Sequence, residues 1–235
     1  MLRFLAFFFY MSSFLIYSIP NLLKMKKLND ELPVAERDRL IHEMPKRWSR
    51  TIMKITGSNV TVQNQELIPE GPVVFVCNHE GDFDIPVLLA FIEKPFGFIS
   101  KIEVKKVPIL STWMEVMNCV FLDRRNPRQA VRSIRDGVNV IKEGHSILIF
   151  PEGTRSKGGP IGEFKSGSFR LARGAEVPIV PIRIKGTANV FEKNGRLVKP
   201  ANITVTVCEP IWPEEYKEKD LNVLANEVKN LISSI

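Results

Sequence analysis

The chain has 235 residues, 44% of them apolar and 25% charged, proportions that exclude wholesale disorder, collagen-like repeats and low-complexity sequence. Its 33 basic residues against 26 acidic ones leave a net charge of +7, which suits an anionic partner such as nucleic acid, a membrane surface or a phosphorylated substrate. Cys77, Cys119 and Cys208 are too scattered for a disulfide framework or a zinc ribbon, and each sits in an apolar run, so buried free thiols are expected.

Residues 4–19 read FLAFFFYMSSFLIYSI, without one charge; Pro20 and Asn21 interrupt, and Lys24, Lys26 and Lys27 follow. A helix over residues 4–23 would be about 30 Å long, near the hydrocarbon thickness of a bilayer. A cleaved signal peptide fits poorly, with Arg3 alone in the n-region. A transmembrane span and a monotopic anchor sunk in one leaflet both remain open. Residues 34–55 place Leu40, Ile41, Met44, Trp48, Ile52 and Met53 at helical steps among six basic residues, with Pro45 expected to kink or split the helix. Residues 1–57 are therefore expected to form a two-helix membrane-binding appendage, and residues 58–235 the catalytic domain.

From residue 58 short apolar runs alternate with helical patterns. Strands are expected at 72–77, 96–100, 119–122, 146–150, 179–184 and 203–207, and helices at 85–91, 109–117, 127–142, 166–173 and 221–232. This alternation predicts an α/β fold with a mainly parallel or mixed sheet flanked by helices.

Among three histidines, His79 follows the 72–77 strand and sits in the run Asn78-His79-Glu80-Gly81-Asp82-Phe83-Asp84. In an open α/β sheet the C-terminal strand ends gather ligands and reactive groups. Five residues along one helix would turn Asp84 about 140° away from His79. Across a strand–loop–helix turn containing Gly81, its carboxylate can instead fold back, fix the imidazole tautomer and leave the other nitrogen as a general base. No G-x-S-x-G elbow, Walker A loop or G-x-G-x-x-G is present. With no protein nucleophile to match, the substrate itself is expected to carry the attacking hydroxyl. Arg124 and Arg125 follow a strand and suit a phosphate, and Lys101 and Lys105 could join that basic pocket. Glu152 and Arg155 put opposite charges at the end of another strand, with Gly153 between them allowing close backbone approach.

Together these pieces resemble the glycerolipid acyltransferase family of 1-acyl-sn-glycerol-3-phosphate acyltransferases. N-H-x4-D stands at Asn78 to Asp84, the apolar-Phe-apolar-Asp-Arg run at Val120 to Arg124, F-P-E-G-T-R-S at Phe150 to Ser156 and V-P-I-V-P at Val177 to Pro181. The resemblance covers about residues 58–210. One departure is Gly81, where family members often have Ser. The resemblance implies transfer of a fatty acyl group from acyl-CoA or acyl-acyl-carrier-protein to the sn-2 hydroxyl of lysophosphatidic acid. His79 is implied as general base with Asp84 as its orienting partner. Arg124 and Lys105 are implied for the acceptor phosphate, and Glu152, Gly153 and Arg155 for acceptor positioning. Pro178 and Pro181 are implied to shape the acyl channel or the strand. No metal or bound cofactor is implied. The expected location is the cell membrane, with the catalytic domain on the cytoplasmic face and the bilayer as a partner. Another acceptor, such as glycerol-3-phosphate or a different lysolipid, and a non-catalytic lipid-binding module are the alternatives. Nucleic acid is not an expected partner, since no aromatic–basic motif accompanies the charge.

Overall fold

The computed structural model describes residues 2–28, 31–195 and 197–235. The first apolar run forms two helices, α1 (Leu2–Tyr17) and α2 (Ile19–Met25), bent by 48°. The break falls at Ser18, and Pro20 sits in the first turn of α2, where a proline's missing N–H costs nothing. Ser18 is buried at the bend, where its hydroxyl accepts from Trp113 Nε1 at 2.8 Å and donates to the Leu15 carbonyl at 2.7 Å. Among the described residues no single helix is long and apolar enough to cross a membrane, and only this bent pair approaches the requirement.

The basic amphipathic segment is α3 (Val34–Thr56), and contrary to expectation it runs through Pro45 without a break. A proline removes one backbone hydrogen bond and strains the preceding turn. Pro45 is buried, and apolar contacts on either side of it dock both halves of α3: Ile41 before it and Ile52 and Met53 after it join the sheet core.

The expected α/β architecture is present. Strands β1 (Asn59–Gln63), β2 (Val74–Cys77), β3 (Gly97–Lys101), β4 (Val120–Leu122), β5 (Ile147–Ile149), β6 (Ile179–Lys185) and β7 (Asn202–Val207) form one sheet in the order β1-β7-β6-β2-β5-β3-β4. The five strands from β6 to β4 are parallel; β7 pairs antiparallel with β6, and β1 parallel with β7. Helices α4 (Asp84–Phe91), α5 (Leu110–Val116), α6 (Pro127–Lys142), α7 (Arg170–Ala175), α8 (Pro213–Tyr216) and α9 (Leu221–Ser233) complete the chain. The helix expected at 166–173 begins as a 3-10 turn over Ser166–Phe169 and becomes α-helical only at Arg170. Strand β1 was not anticipated.

Side chains of the central strands alternate between two cores, which is why they read as continuous apolar runs. Phe75, Cys77 and Leu148 face one core, which takes residues from α2, α3, α4 and α5. Val74, Val76, Ile147 and Ile149 face the other, built on α6, α7 and α9. Leu22, Met25, Ile41, Ile52 and Met53 of the N-terminal helices therefore share a core with the sheet. The three cysteines are buried and free, and burial pushes the Cys77 thiol well above its usual range.

Candidate active site

Strands β2 and β5 are neighbours in parallel register, with Val76 opposite Ile149. The residues that follow them, Asn78-His79 and Phe150-Pro151, therefore emerge side by side at the C-terminal rim. Asn78 is locked to β6 by two bonds: its amide donates to the Ile184 carbonyl at 2.9 Å and its Oδ1 accepts from Ile184 N–H at 2.8 Å. The FPEGTRS loop is tied to the His79 loop through Ser156 N–H to the His79 carbonyl, 2.8 Å, and Lys157 N–H to the Glu80 carbonyl, 2.9 Å.

Asp84 opens α4 and is fully buried. Its Oδ2 lies 2.6 Å from His79 Nδ1 and accepts from the backbone N–H groups of Glu80 at 2.7 Å and Gly81 at 3.0 Å. Its Oδ1 accepts from the Thr187 hydroxyl. A carboxylate surrounded by donors can only accept, so Nδ1 carries the proton of the His79–Asp84 bond and Nε2 is left as an acceptor. The imidazole is stacked on Phe150, with ring centroids 4.1 Å apart and planes 16° from parallel. Two contacts thus hold the ring, one at its edge and one on its face.

His79 lines a cavity of about 440 Å³ shared with Lys101, Arg124, Gly153, Arg155 and Lys157. Arg124 reaches across from the end of β4 and donates to the Gly153 carbonyl. Partial burial lowers the Arg124 pKa, with Glu103 opposing the shift. Gly153 has φ +70°, and a Cβ there would stand 3.0 Å from Lys165 Nζ and 3.7 Å from Arg124 Nη1. Glycine is needed at that position for both its backbone conformation and the room it leaves two cations. Arg155 pairs with Asp82 at the cavity edge.

Lys105 and Glu152 lie outside the cavity lining, and of the two alternatives for Pro178 and Pro181 the structural one fits. Lys105 is outside the cavity lining; its ammonium sits 4.9 Å from the centre of the Phe121 ring and 4.0 Å from Glu115, and Lys101 and Lys157 provide the lysines instead. Glu152 is buried with both oxygens occupied, Oε1 by His79 N–H at 2.7 Å and Oε2 by Gly162 N–H at 2.8 Å. It holds the histidine loop from beneath and does not line the cavity. Pro178 and Pro181 are built into the sheet: their carbonyls accept from Val74 N–H at 3.0 Å and Cys208 N–H at 2.9 Å, and neither lines the cavity.

Sequence reasoning missed Thr187, Phe150's stacking role and Glu80. Gly186, at φ +103°, makes the turn after β6 and gives its N–H to Glu80 Oε2 at 2.8 Å, which delivers Thr187 to Asp84. No local pattern marks Thr187, which lies 103 positions from its partner. Gly81 now has a reason: a Cβ there would stand 2.5 Å from Glu192 Oε2, so the Glu192 side chain fills the space a larger residue would need.

Two further cavities adjoin this one, one on each face of the sheet. The first, about 390 Å³, is walled by Phe7, Met11 and Phe14 of α1, Trp48 of α3 and Trp113 of α5, and shares Ile85, Phe98 and Val104 with the His79 cavity. The second, about 500 Å³, lies between α6 and the segment leading into α7 and shares Ile99, Arg124, Phe150 and Gly153 with it.

The family model named Acyltransferase matches residues 59–185, which carry every group just described from His79 to Arg155. The chain belongs to the acyltransferase family. A probable 1-acyl-sn-glycerol-3-phosphate acyltransferase of Mycoplasma genitalium is 34% identical over 213 residues, covering 86% of this chain and 78% of that protein. The chloroplastic 1-acyl-sn-glycerol-3-phosphate acyltransferase LPAT1 of Arabidopsis thaliana is 32% identical over 200 residues, 84% of this chain and 54% of its own length. Among solved structures, the 1-acyl-sn-glycerophosphate (LPA) acyltransferase PlsC of Thermotoga maritima superposes with a TM-score of 0.85 at 26% identity, covering 99% of this chain and 92% of that one. That coverage includes the N-terminal helices, so the likeness to this acyltransferase extends beyond residues 59–185 to α1 and α2.

Proposed function

We propose that the protein acylates the sn-2 hydroxyl of 1-acyl-glycerol-3-phosphate from a thioester donor, acyl-CoA or acyl-acyl-carrier-protein, and releases phosphatidic acid. The observation that carries this reading is the His79–Asp84 pair at 2.6 Å, set in a cavity that holds Arg124 and opens into an apolar one. His79 Nε2 takes the proton of the acceptor hydroxyl as its oxygen attacks the thioester carbonyl. The C–O bond forms, and the tetrahedral intermediate collapses with cleavage of the C–S bond. The departing thiolate then takes the proton back from Nε2. No acyl-enzyme intervenes, and Asp84 holds the imidazolium that forms transiently.

Arg124 and Arg155 suit the acceptor phosphate because a guanidinium fork matches a phosphate's paired oxygens. The apolar cavity beneath α1 suits an acyl chain, since each buried CH₂ contributes about 0.8 kcal/mol. The outward side of the N-terminal helices suits a lipid surface: Phe8, Phe9, Ile16 and Tyr17 are more than half exposed, Phe9 by 76%. Large apolar groups exposed along the outward half of a helix suit the interface of one leaflet, with the bent pair lying along it. The protein would then work at the cytoplasmic face of the cell membrane.

The test is transfer from radiolabelled acyl-CoA and acyl-acyl-carrier-protein to a panel of acceptors: 1-acyl-glycerol-3-phosphate, glycerol-3-phosphate and neutral or zwitterionic lysolipids. The expected outcome is a kcat/KM highest for 1-acyl-glycerol-3-phosphate. A higher value for another acceptor would reassign the substrate, and no transfer to any of them would leave a lipid-binding module.

A further inference from the structure

The two cavities that adjoin His79 are chemically unlike. The one under α1 is lined almost wholly by apolar side chains, with Asp82 its one charged residue. The one between α6 and α7 has an apolar floor, including Val131, Ile134 and Val138, and a rim of Arg124, Arg135, Lys165 and Arg170, with no acidic residue in its lining. Among the described residues Arg135, Lys165 and Arg170 make no ion pair and no side-chain hydrogen bond, and all three are exposed. Some other surface cations are paired, Lys46 and Arg50 with Glu93, Arg125 with Glu103 and Lys219 with Glu227, while others, such as Arg128, Arg132, Lys185 and Lys199, stand in solvent; the rim of this groove differs in gathering its cations around one opening. Three unpaired cations gathered on one rim, with no acidic residue in the lining, complement an anion, and the groove leads by way of Gly153 to His79.

We propose that this groove is the entry channel for the acyl donor and holds its phosphopantetheine arm, with Arg135, Lys165 and Arg170 on the arm's phosphate and the thioester delivered to His79. The inference rests on the proposed thioester-dependent reaction. The arm's chemistry matches the lining from end to end: a terminal phosphate for the cations, and a slender chain carrying two amides for an apolar floor edged by Ser168 and the backbone of Gly167. A bare hydrocarbon chain would leave the cations without a partner, whereas the α1 cavity offers it an apolar wall. Because the same arm is carried by acyl-CoA and by acyl carrier protein, the groove recognises what the two donors share. The arrangement also separates the substrates spatially, with the donor reaching the rim from the α6–α7 face and the lipid acceptor from the α1 side.

The experiment compares full-length wild-type protein with the double variant Arg135→Gln/Arg170→Gln and, separately, Ala130→Trp, which places bulk in the groove. Three donors with the same acyl chain are used: acyl-CoA, acyl-acyl-carrier-protein and S-acyl-pantetheine, which has no phosphate. For the double variant, KM for both phosphate-bearing donors is expected to rise at least about tenfold, as for loss of charge-assisted bonds. KM for 1-acyl-glycerol-3-phosphate and the kcat/KM with S-acyl-pantetheine should stay at wild-type values. Ala130→Trp should raise KM for all three donors. Unchanged donor KM in both variants, or a rise confined to the acceptor, would overturn the proposal. So would a loss restricted to acyl-acyl-carrier-protein, because the cations would then be meeting the carrier's surface rather than the arm. If wild-type protein transfers nothing from any thioester, the functional reading itself has failed; an active wild type with unaffected variants sinks the groove alone.

Discussion

At His79 the proposed general base is assembled from groups at three strand ends, those of β2, β5 and β6. Asp84 sets the tautomer, Phe150 the ring plane, Glu152 the backbone and Thr187 the orienting carboxylate. Replacing the base should therefore remove turnover and spare the fold, since His79 is a loop residue at the edge of a cavity. His79→Ala is expected to lower kcat by at least about 10²-fold, with Asp84→Asn also severe; steady-state rates at saturating substrates, with circular dichroism for folding, check both. A His79→Ala protein turning over at the wild-type rate would exclude it as the base. Gly81 carries a second expectation. Ser in its place pushes the Glu192 carboxylate away and costs its 2.7 Å bond from Asp82 N–H. The loss is about 0.5–1.5 kcal/mol, one ordinary hydrogen bond. Gly81→Ser should lower the thermal midpoint and activity modestly; Glu192→Ala, which loses the same bond, should cost about as much, and adding Gly81→Ser to it should cost nothing further. A Gly81→Ser protein as stable as wild type would show that Glu192 moves aside freely.

The motif residues of this site were legible in the sequence because each lies in a short run directly after a strand. The direction of a buried side chain was not. Glu152 reads as a charge at a strand end, but its carboxylate turns inward onto two backbone donors. His145 and Asp38 make the same point, since they form a second His–Asp pair, at 2.8 Å, buried and in the lining of none of the three cavities. Pairing alone does not make a base; access to a substrate does.

Helix α3 is the element whose behaviour differs most from its sequence. Pro45 argues for a break, yet docking along both halves keeps the helix whole. Part of that docking is His42, which is buried with Nδ1 2.8 Å from the Asp38 carbonyl and Nε2 2.9 Å from the carbonyl and 3.2 Å from the N–H of Phe96, the residue before β3. Burial lowers the His42 pKa below the usual 6.5, outweighing the raising effect of its backbone partners and of Asp38; His145 lowers it further. The unfolded chain therefore binds a proton that the folded chain resists, and the stability contributed by neutral His42 is lost as pH falls below about 6.5. The unfolding midpoint of the full chain should drop between pH 7 and pH 5.5, and His42→Gln should start lower and flatten that slope. An identical slope in the variant would assign the acid sensitivity to other groups. Strand β1 is the converse case: NVTVQ is a five-residue edge strand with alternating exposure, too short and polar to stand out from a loop without its partner β7. The break between α1 and α2 falls at Ser18, just ahead of the interrupting Pro20 and Asn21, as a helix ends before a proline, and the Trp113 bond holds the bend.

For the whole molecule, the N-terminal helices and the sheet share one core, and α1 supplies Phe7, Met11 and Phe14 to the wall of the apolar cavity. Deleting residues 1–27 should accordingly do two things. The protein should leave the membrane fraction, and its kcat/KM for long-chain substrates should fall even in detergent, because the cavity has lost a wall. Short-chain substrates, which need less of that wall, should lose less. Fractionation and both assays on one folded preparation test this. A truncated protein that still sediments with membranes would place the attachment on the basic surface of the remaining domain.

The outward aromatic face of α1 has a kinetic consequence. An enzyme held at a leaflet and drawing its acceptor laterally from that leaflet searches in two dimensions. The concentration that governs its rate is then the mole fraction of acceptor among the surrounding lipids rather than the amount per volume of buffer. Adding inert phospholipid at constant total acceptor should slow the reaction in proportion, while adding water should leave it unchanged. Dilution within the surface and dilution of the suspension thus become separate variables, and the response to each reports whether substrate arrives through the bilayer or through solution.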